Sequence, residues 1–200
     1  MSNSSATTVS GKKISLKYYL QKHKTIPEKT FTHTALGEPP LSYPGSYCIE
    51  DDEFDSFFQV YSNTVFKHKI PAHLTERHKE QSPILIDLDF RHKYPENETT
   101  TPIRKYDTTF IKNFLKRYLE IVDNIMPIAD EHKVAFVLEK ETPVIPKKGK
   151  KVIKDGIHVI FPYIVTEPKL QYIWRYQSVI DDRINSLMEP LELTNSIDDV

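Results

Sequence analysis

The sequence predicts an α/β fold in which helices cover one sheet. Three observations support this prediction. Residues 83–90 alternate as a strand does, residues 107–125 carry an amphipathic helical stripe, and two apolar strands precede a further helical stretch. The order strand, helix, strand, strand, helix is typical of such a fold, and no internal repeat interrupts it.

The clearest strand is residues 83–90, with the sequence PILIDLDF. Side chains alternate along a strand, so four apolar residues share one face of it. Leu85, Asp87 and Asp89 share the other face. This strand therefore predicts a buried side and a side that carries two carboxylates.

The remaining elements of this half follow in order. Asp107 begins a helix that extends to residue 125. The continuous apolar run 134–138 predicts a buried strand. A loop rich in proline and lysine follows at 141–155, and residues 157–161 predict another strand. Residues 169–188 predict one amphipathic helix.

The first part of the chain carries weaker signals. Residues 1–13 are polar, which predicts a disordered tail, and residues 14–23 predict a short helix. Four prolines and a glycine favour a loop over 25–44, before a brief strand at 47–49. Aromatic residues at helical spacing predict a helix over 54–65.

Composition excludes several classes of protein. The 200 residues include 27 basic and 28 acidic side chains, which argues against a histone-like coat for nucleic acid but not against a local basic site. Cys48 is the single cysteine, so a disulfide framework or a cysteine-based metal cluster is excluded. No P-loop or dinucleotide-binding glycine motif occurs. No apolar run is long enough to span a membrane, and the protein is expected to be soluble and intracellular.

Asp87 and Asp89 are the strongest functional signal. Carboxylates at i and i+2 of a strand project from one face about 7 Å apart. They can converge on a pair of divalent cations, the arrangement used in phosphoryl transfer, and Mg²⁺ or Mn²⁺ prefers such oxygen ligands. Two alternatives stay open for this motif alone: a solvated sheet face, and the D-x-D motif of a nucleotide-sugar transferase.

His158 lies in the later strand with Gly156 two residues before it. Alternation directs His158 away from Ile157 and Val159. A single strand histidine is usually a structural hydrogen-bond donor. Together with the carboxylates on the same sheet, it becomes a candidate ligand for phosphate groups.

Basic residues flank both strands. Five lysines surround the loop before His158: Lys147, Lys148, Lys150, Lys151 and Lys154. They are candidates for contact with a nucleic-acid backbone or a triphosphate, or they form a solvated loop tip. Arg91, directly after the carboxylate strand, is a second candidate for contact with phosphates.

Residues 84–92 (ILIDLDFRH) and 154–162 (KDGIHVIFP) resemble the first two motifs of the archaeo-eukaryotic primase superfamily. They resemble more closely the primase region of the primase–helicase fusions of large eukaryotic DNA viruses. Residues 43–47 (YPGSY) and 74–76 (LTE) are similar to upstream segments of those proteins. The likeness covers roughly residues 40 to 200.

The resemblance implies a primase catalytic core with a mixed or antiparallel sheet flanked by helices. It divides the chain into a disordered tail (1–13), a helical N-terminal part (14–82) and a catalytic core (83–200). The family's third motif is a further strand carboxylate, for which Asp198 and Asp199, close to the last residue, are the candidates. The core is therefore expected to be incomplete at its C-terminal end.

The resemblance also implies an activity, namely primer synthesis from nucleoside triphosphates on single-stranded DNA during viral replication. Asp87 and Asp89 would hold two Mg²⁺ or Mn²⁺ ions, and His158, Lys154 and Arg91 would bind the nucleotide. A helicase portion is expected, either in a longer polypeptide or as a separate chain. Replication in host cytoplasm or nucleus is expected, with neither favoured. A non-catalytic nucleic-acid-binding fragment remains an alternative.

Overall fold

The computed structural model describes residues 15–26, 30–35, 44–94, 101–146 and 152–195. The chain divides into two compact units, Met1–Lys79 and Glu80–Val200. Each unit has its own hydrophobic core. The sequence places the boundary between residues 82 and 83.

The first unit combines two helices with a four-stranded antiparallel sheet. Its elements are α1 (Leu16–Lys22), β1 (Lys24–Thr25), β2 (His33–Ala35), β3 (Gly45–Tyr47), α2 (Phe54–Ser62) and β4 (Leu74–Glu76), with strand order β1-β3-β2-β4. Both helices occur where the sequence predicts them. The loop prediction for 25–44 is wrong at β2, because strands of two or three residues show too little alternation to be recognised.

The second unit confirms the predicted α/β class. Its elements are β5 (Ser82–Lys93), α3 (Thr108–Ile125), β6 (Phe136–Glu139), β7 (Val152–Thr166), α4 (Pro168–Val179) and α5 (Asp182–Met188). The three strands form an antiparallel sheet in the order β5-β7-β6. The long pairing of β5 with β7 is the framework on which the candidate site lies.

The sheet has two unlike faces. On the inner face, apolar residues of β5 and β7 pack against α3, α4 and α5 in one core. The fully buried strand residues of this core are Ile84, Phe90, Ile157, Val159 and Phe161. Asp87 and His158 lie on the opposite face, which we call the outer face.

Three predictions for this unit need correction. The run 134–138 is not a buried strand, because β6 is an edge strand and Phe136 is 58% exposed. The strand predicted at 157–161 extends to Val152–Thr166, since its ends pair with the ends of β5. The predicted helix 169–188 is two helices, because the Asp181 side chain accepts hydrogen bonds from backbone N–H groups and begins α5.

Several predictions concern residues outside the described ranges. These are the N-terminal tail 1–13, the lysines at 147, 148, 150 and 151, and the residues Asp198 and Asp199. No helix in the described part of the chain is both long and apolar enough to cross a membrane.

Candidate active site

Asp87 and His158 face each other across the pairing of β5 with β7. The two residues are direct partners in the strand register. The imidazole Nδ1 lies 3.3 Å from Oδ1 of Asp87, and the side chains are 62% and 69% exposed. The sequence predicts that the carboxylate and the imidazole share a sheet, and the structure brings them into contact on a face open to solvent.

Asp89 lies one row further along the outer face, opposite Gly156. Its Oδ2 accepts two hydrogen bonds from Arg91, from Nε at 3.1 Å and from Nη2 at 2.9 Å. This ion pair is part-exposed, so its net stabilising effect is small. Arg91 therefore lies against a carboxylate rather than projecting freely toward phosphates.

Gly156 is required by the close approach of β5 and β7. A Cβ atom at this position would lie 2.2 Å from the carbonyl oxygen of Leu88. That oxygen belongs to the backbone of β5, so it cannot move away by a change of side-chain rotamer. Any side chain here would displace the segment of β5 that carries Asp87 and Asp89.

Asn195 fixes the other edge of β5 and was not predicted from the sequence. Its Nδ2 donates to the Asp89 carbonyl at 2.8 Å, and its Oδ1 accepts from the Arg91 N–H at 2.9 Å. Next to it, the Thr194 N–H donates to the Arg91 carbonyl at 2.7 Å. The segment thus takes the place of a neighbouring strand and holds the backbone around Asp89.

An ion pair at the edge of the inner face was also missed. Asp155 is 1% exposed and accepts two hydrogen bonds from Arg104, at 2.9 Å and 3.2 Å. The hydrogen bond to Asp155 raises the pKa of Arg104. Tyr106 donates from its hydroxyl to the Gly156 carbonyl at 3.2 Å. These contacts hold the β7 backbone directly before His158.

Lys154 is the register partner of Arg91 and completes a third row of the outer face. Five predicted site residues therefore occupy three consecutive rows: Asp87, Asp89, Arg91, Lys154 and His158. The sign of charge changes along the face, from basic at Arg91 and Lys154 to acidic at the two aspartates. Such a face can contact both a metal cation and a phosphate group.

The donor set suits a divalent cation that brings further oxygen ligands with it. Mg²⁺ typically uses one or two protein carboxylates together with substrate phosphates. Among the described residues, no group of three or more His, Cys, Asp or Glu side chains could hold a metal. Arg91 already occupies one oxygen of Asp89, so a cation must compete with it there. Asp87 and Asp89 are therefore the described residues of this face that could hold such a cation, together with ligands from outside the described residues.

The fold and the site define a class of α/β protein whose open antiparallel sheet carries a carboxylate pair beside an imidazole. The profile of the family "C962R protein N-terminal AEP domain" matches residues 32–200, where AEP denotes archaeo-eukaryotic primase. The chain belongs to this family, the primase region of viral primase–helicases. The family predicted from residues 84–92 and 154–162 is thereby confirmed.

Viral relatives agree with this assignment. "Putative helicase L207/L206" of Acanthamoeba polyphaga mimivirus is 32% identical over 186 residues, which cover 91% of this chain and 18% of that protein. "Putative helicase 121R" of Invertebrate iridescent virus 3 is 24% identical over 170 residues, which cover 84% of this chain and 17% of that protein. The chain therefore spans less than a fifth of the length of these relatives.

Proposed function

We propose that this chain is a primase-type nucleotidyltransferase module that makes primers from nucleoside triphosphates on single-stranded DNA. The observation that carries the proposal is the row formed by Asp87 and His158, whose side chains lie 3.3 Å apart on an open sheet face. Membership of the primase family supports the same activity.

Each predicted site residue of the three rows has a distinct role in the proposal. Asp87 and Asp89 hold two Mg²⁺ or Mn²⁺ ions, which would activate the attacking hydroxyl and stabilise charge on the leaving pyrophosphate. His158 donates from its imidazole to the phosphates of the incoming nucleotide and orients them. Lys154 and Arg91 add positive charge at the next rows, where Arg91 exchanges Asp89 for a phosphate when the nucleotide binds.

Asp198 is the proposed third carboxylate of the metal site. Asn195 is tied to the backbone of β5 at Asp89. Asp198 follows three residues later, and three residues span at most about 10 Å. This short separation along the sequence supports the proposal.

The lysines at 147, 148, 150 and 151 are proposed to contact the template backbone. In the sequence they directly precede β7, the strand that carries Lys154 and His158. Contacts of this kind would make DNA binding weaken steeply as salt concentration rises. The proposed partner of the module is a helicase portion, as the names of the viral relatives suggest, and the proposed setting is viral DNA replication.

The test is incorporation of labelled nucleotides on a single-stranded template with Mg²⁺ or Mn²⁺. Wild type is expected to make primers, and Asp87→Asn is expected to lose this activity while remaining folded. Asp130→Asn is a matched control, because its carboxylate is 96% exposed and lies outside the site. Full activity of Asp87→Asn would overturn the proposal. Metal-independent binding of DNA without incorporation would instead identify a non-catalytic module.

A further inference from the structure

An exposed apolar patch lies beside the candidate active site on the same outer face. It consists of Leu85, Phe136, Leu138 and Ile160. Phe136 is 58% exposed, Leu138 51% and Leu85 47%, although all three are large apolar side chains in strands. Side chains of this kind on an open sheet are commonly part of a binding surface.

The strand register fixes where the patch lies relative to the site. Leu138 is the direct partner of His158, so it extends the row of Asp87 and His158 by one strand. Phe136 and Leu85 both pair with Ile160, which makes the next row of the outer face. Neighbouring rows on one face are about 7 Å apart and neighbouring strands about 4.8 Å.

A covering protein segment is a poor match for this patch. Because Leu138 pairs with His158, an element that buried the patch would lie within one strand spacing of the imidazole. It would also obstruct the row that the proposed function needs open. An occupant that covers the apolar row and leaves the phosphate-binding row accessible must be small and amphipathic.

A nucleotide has this chemistry. Its base presents a flat apolar face, and the sugar separates that face from the phosphates by a distance comparable to one row spacing. An exposed aromatic ring on an antiparallel sheet is a typical stacking platform for bases. The order of the two rows therefore matches the order of phosphate and base in one nucleotide.

We propose that the patch binds the base of the nucleotide whose phosphates contact His158, with Phe136 as the stacking ring. This inference rests on the proposed function and adds the base-binding subsite to it. Stacking on a phenyl ring does not depend on which base is bound, because every base has a flat aromatic face. The subsite would accept all four nucleotides with similar affinity.

The experiment compares ATP with inorganic tripolyphosphate as ligands of the full chain in the presence of Mn²⁺, by isothermal titration calorimetry. Phe136→Ala is expected to weaken ATP binding about 5- to 150-fold, the range for loss of one base–aromatic stack. Binding of tripolyphosphate should be unchanged, since it has no base. Phe136→Trp should retain ATP binding. Tyr172→Ala is the matched control, because Tyr172 is an aromatic residue of α4 that is 72% exposed.

The outcomes separate this inference from the proposed function. If Phe136→Ala binds ATP as wild type does while Asp87→Asn loses both ligands, the base subsite is wrong and the proposed function stands. If Phe136→Ala weakens both ligands equally, the effect does not involve the base and the subsite is also wrong. If wild type binds neither ligand, the proposed function fails and the subsite fails with it. Leu85→Ala changes the same patch from a different strand, and it should also weaken binding of ATP but not of tripolyphosphate. This second variant keeps the inference testable if Phe136→Ala does not fold.

Discussion

The two faces of the β5–β7–β6 sheet are made by alternate residues of the same strands, yet they differ in almost every physical respect. On β5, Leu88 and Phe90 are 6% and 0% exposed and belong to the core of the unit. Asp87, directly before Leu88, is 69% exposed, and its Oδ1 lies 3.3 Å from Nδ1 of His158. A strand can therefore supply stability and chemistry at once, because alternation keeps the two sets of side chains apart.

Because the outer face is open to solvent, the site can carry charge without a large desolvation penalty. Carboxylates in the interior would need full compensation by partners. Asp155, at the edge of the inner face, has such compensation from Arg104. Asp87 lies on the solvent side and needs none. We expect substitutions on the inner face to change stability and those on the outer face to change binding.

The largest effect on stability is expected for Phe90→Ala. The ring is fully buried and packs against Tyr106 and Phe110, with ring centroids 5.2 Å and 5.9 Å away. Its removal should lower the free energy of unfolding by about 3–5 kcal/mol, measured by urea denaturation. Leu85→Ala, on the outer face of the same strand, should cost less than about 1 kcal/mol. Equal losses for the two variants would show that the faces are not distinct.

The next effect is expected for Arg104→Ala, which leaves the buried Asp155 carboxylate without its partner. The loss should be about 3 kcal/mol of unfolding free energy, as for other broken buried pairs. The control is Arg183→Ala, since Arg183 is 71% exposed in its ion pair with Glu120 and should contribute little. The double variant Arg104→Ala/Asp155→Asn should be more stable than Arg104→Ala alone, because it no longer buries an unpaired carboxylate. A purely additive double variant would contradict direct coupling of the two side chains.

A smaller loss of stability, accompanied by loss of activity, is expected for Gly156→Ala. The added Cβ would collide with the Leu88 carbonyl and separate the strands locally, at a cost of about 1–3 kcal/mol. Because the displaced backbone carries Asp87 and Asp89, primer synthesis should fall further than stability alone explains. Gly45→Ala is the control for backbone strain, because Gly45 also has a positive φ of 150° and a Cβ there would meet Lys24 at 3.2 Å and Tyr47 at 3.4 Å. Since Gly45 lies outside the site, this variant should lose stability and leave the activity intact. Normal activity of Gly156→Ala would contradict the requirement for close strand approach.

Local patterns were enough to predict the centre of the second unit. The alternation in residues 83–90 places Asp87 and Asp89 on one face, and the same rule places His158 opposite Ile157. The further prediction that the carboxylates and the imidazole lie close together required only that their two strands belong to one sheet. The structure agrees on all three positions. The prediction worked because each step depended on a periodicity visible within about eight residues.

Contacts between distant segments were beyond such patterns. Asn195 holds Asp89 from 106 residues away, and Arg104 holds Asp155 from 51 residues away. Neither residue type is distinctive in sequence. Phe136 was predicted to be buried because its run is apolar, whereas burial depends on whether a strand lies at the edge of the sheet. These features follow from topology, which a single sequence encodes only indirectly.

The smallest effect, a change in pH dependence, is expected from His92 at the end of β5 on the inner face. It is 1% exposed, and its Nδ1–H donates to the Leu191 carbonyl at 3.0 Å, since a carbonyl can only accept. Burial lowers the pKa of His92 below 6.5, with Lys105 nearby acting in the same direction and Asp155 and Glu192 opposing it.

A histidine that is neutral in the folded state and has a lowered pKa contributes stability above pH 6.5. This contribution decreases as the pH falls from 6.5 toward the folded pKa, because the unfolded chain takes up a proton first. The difference in unfolding free energy between wild type and His92→Asn should therefore be largest above pH 7 and shrink toward pH 5. A constant difference across this range would mean that His92 is not held neutral by the inner face.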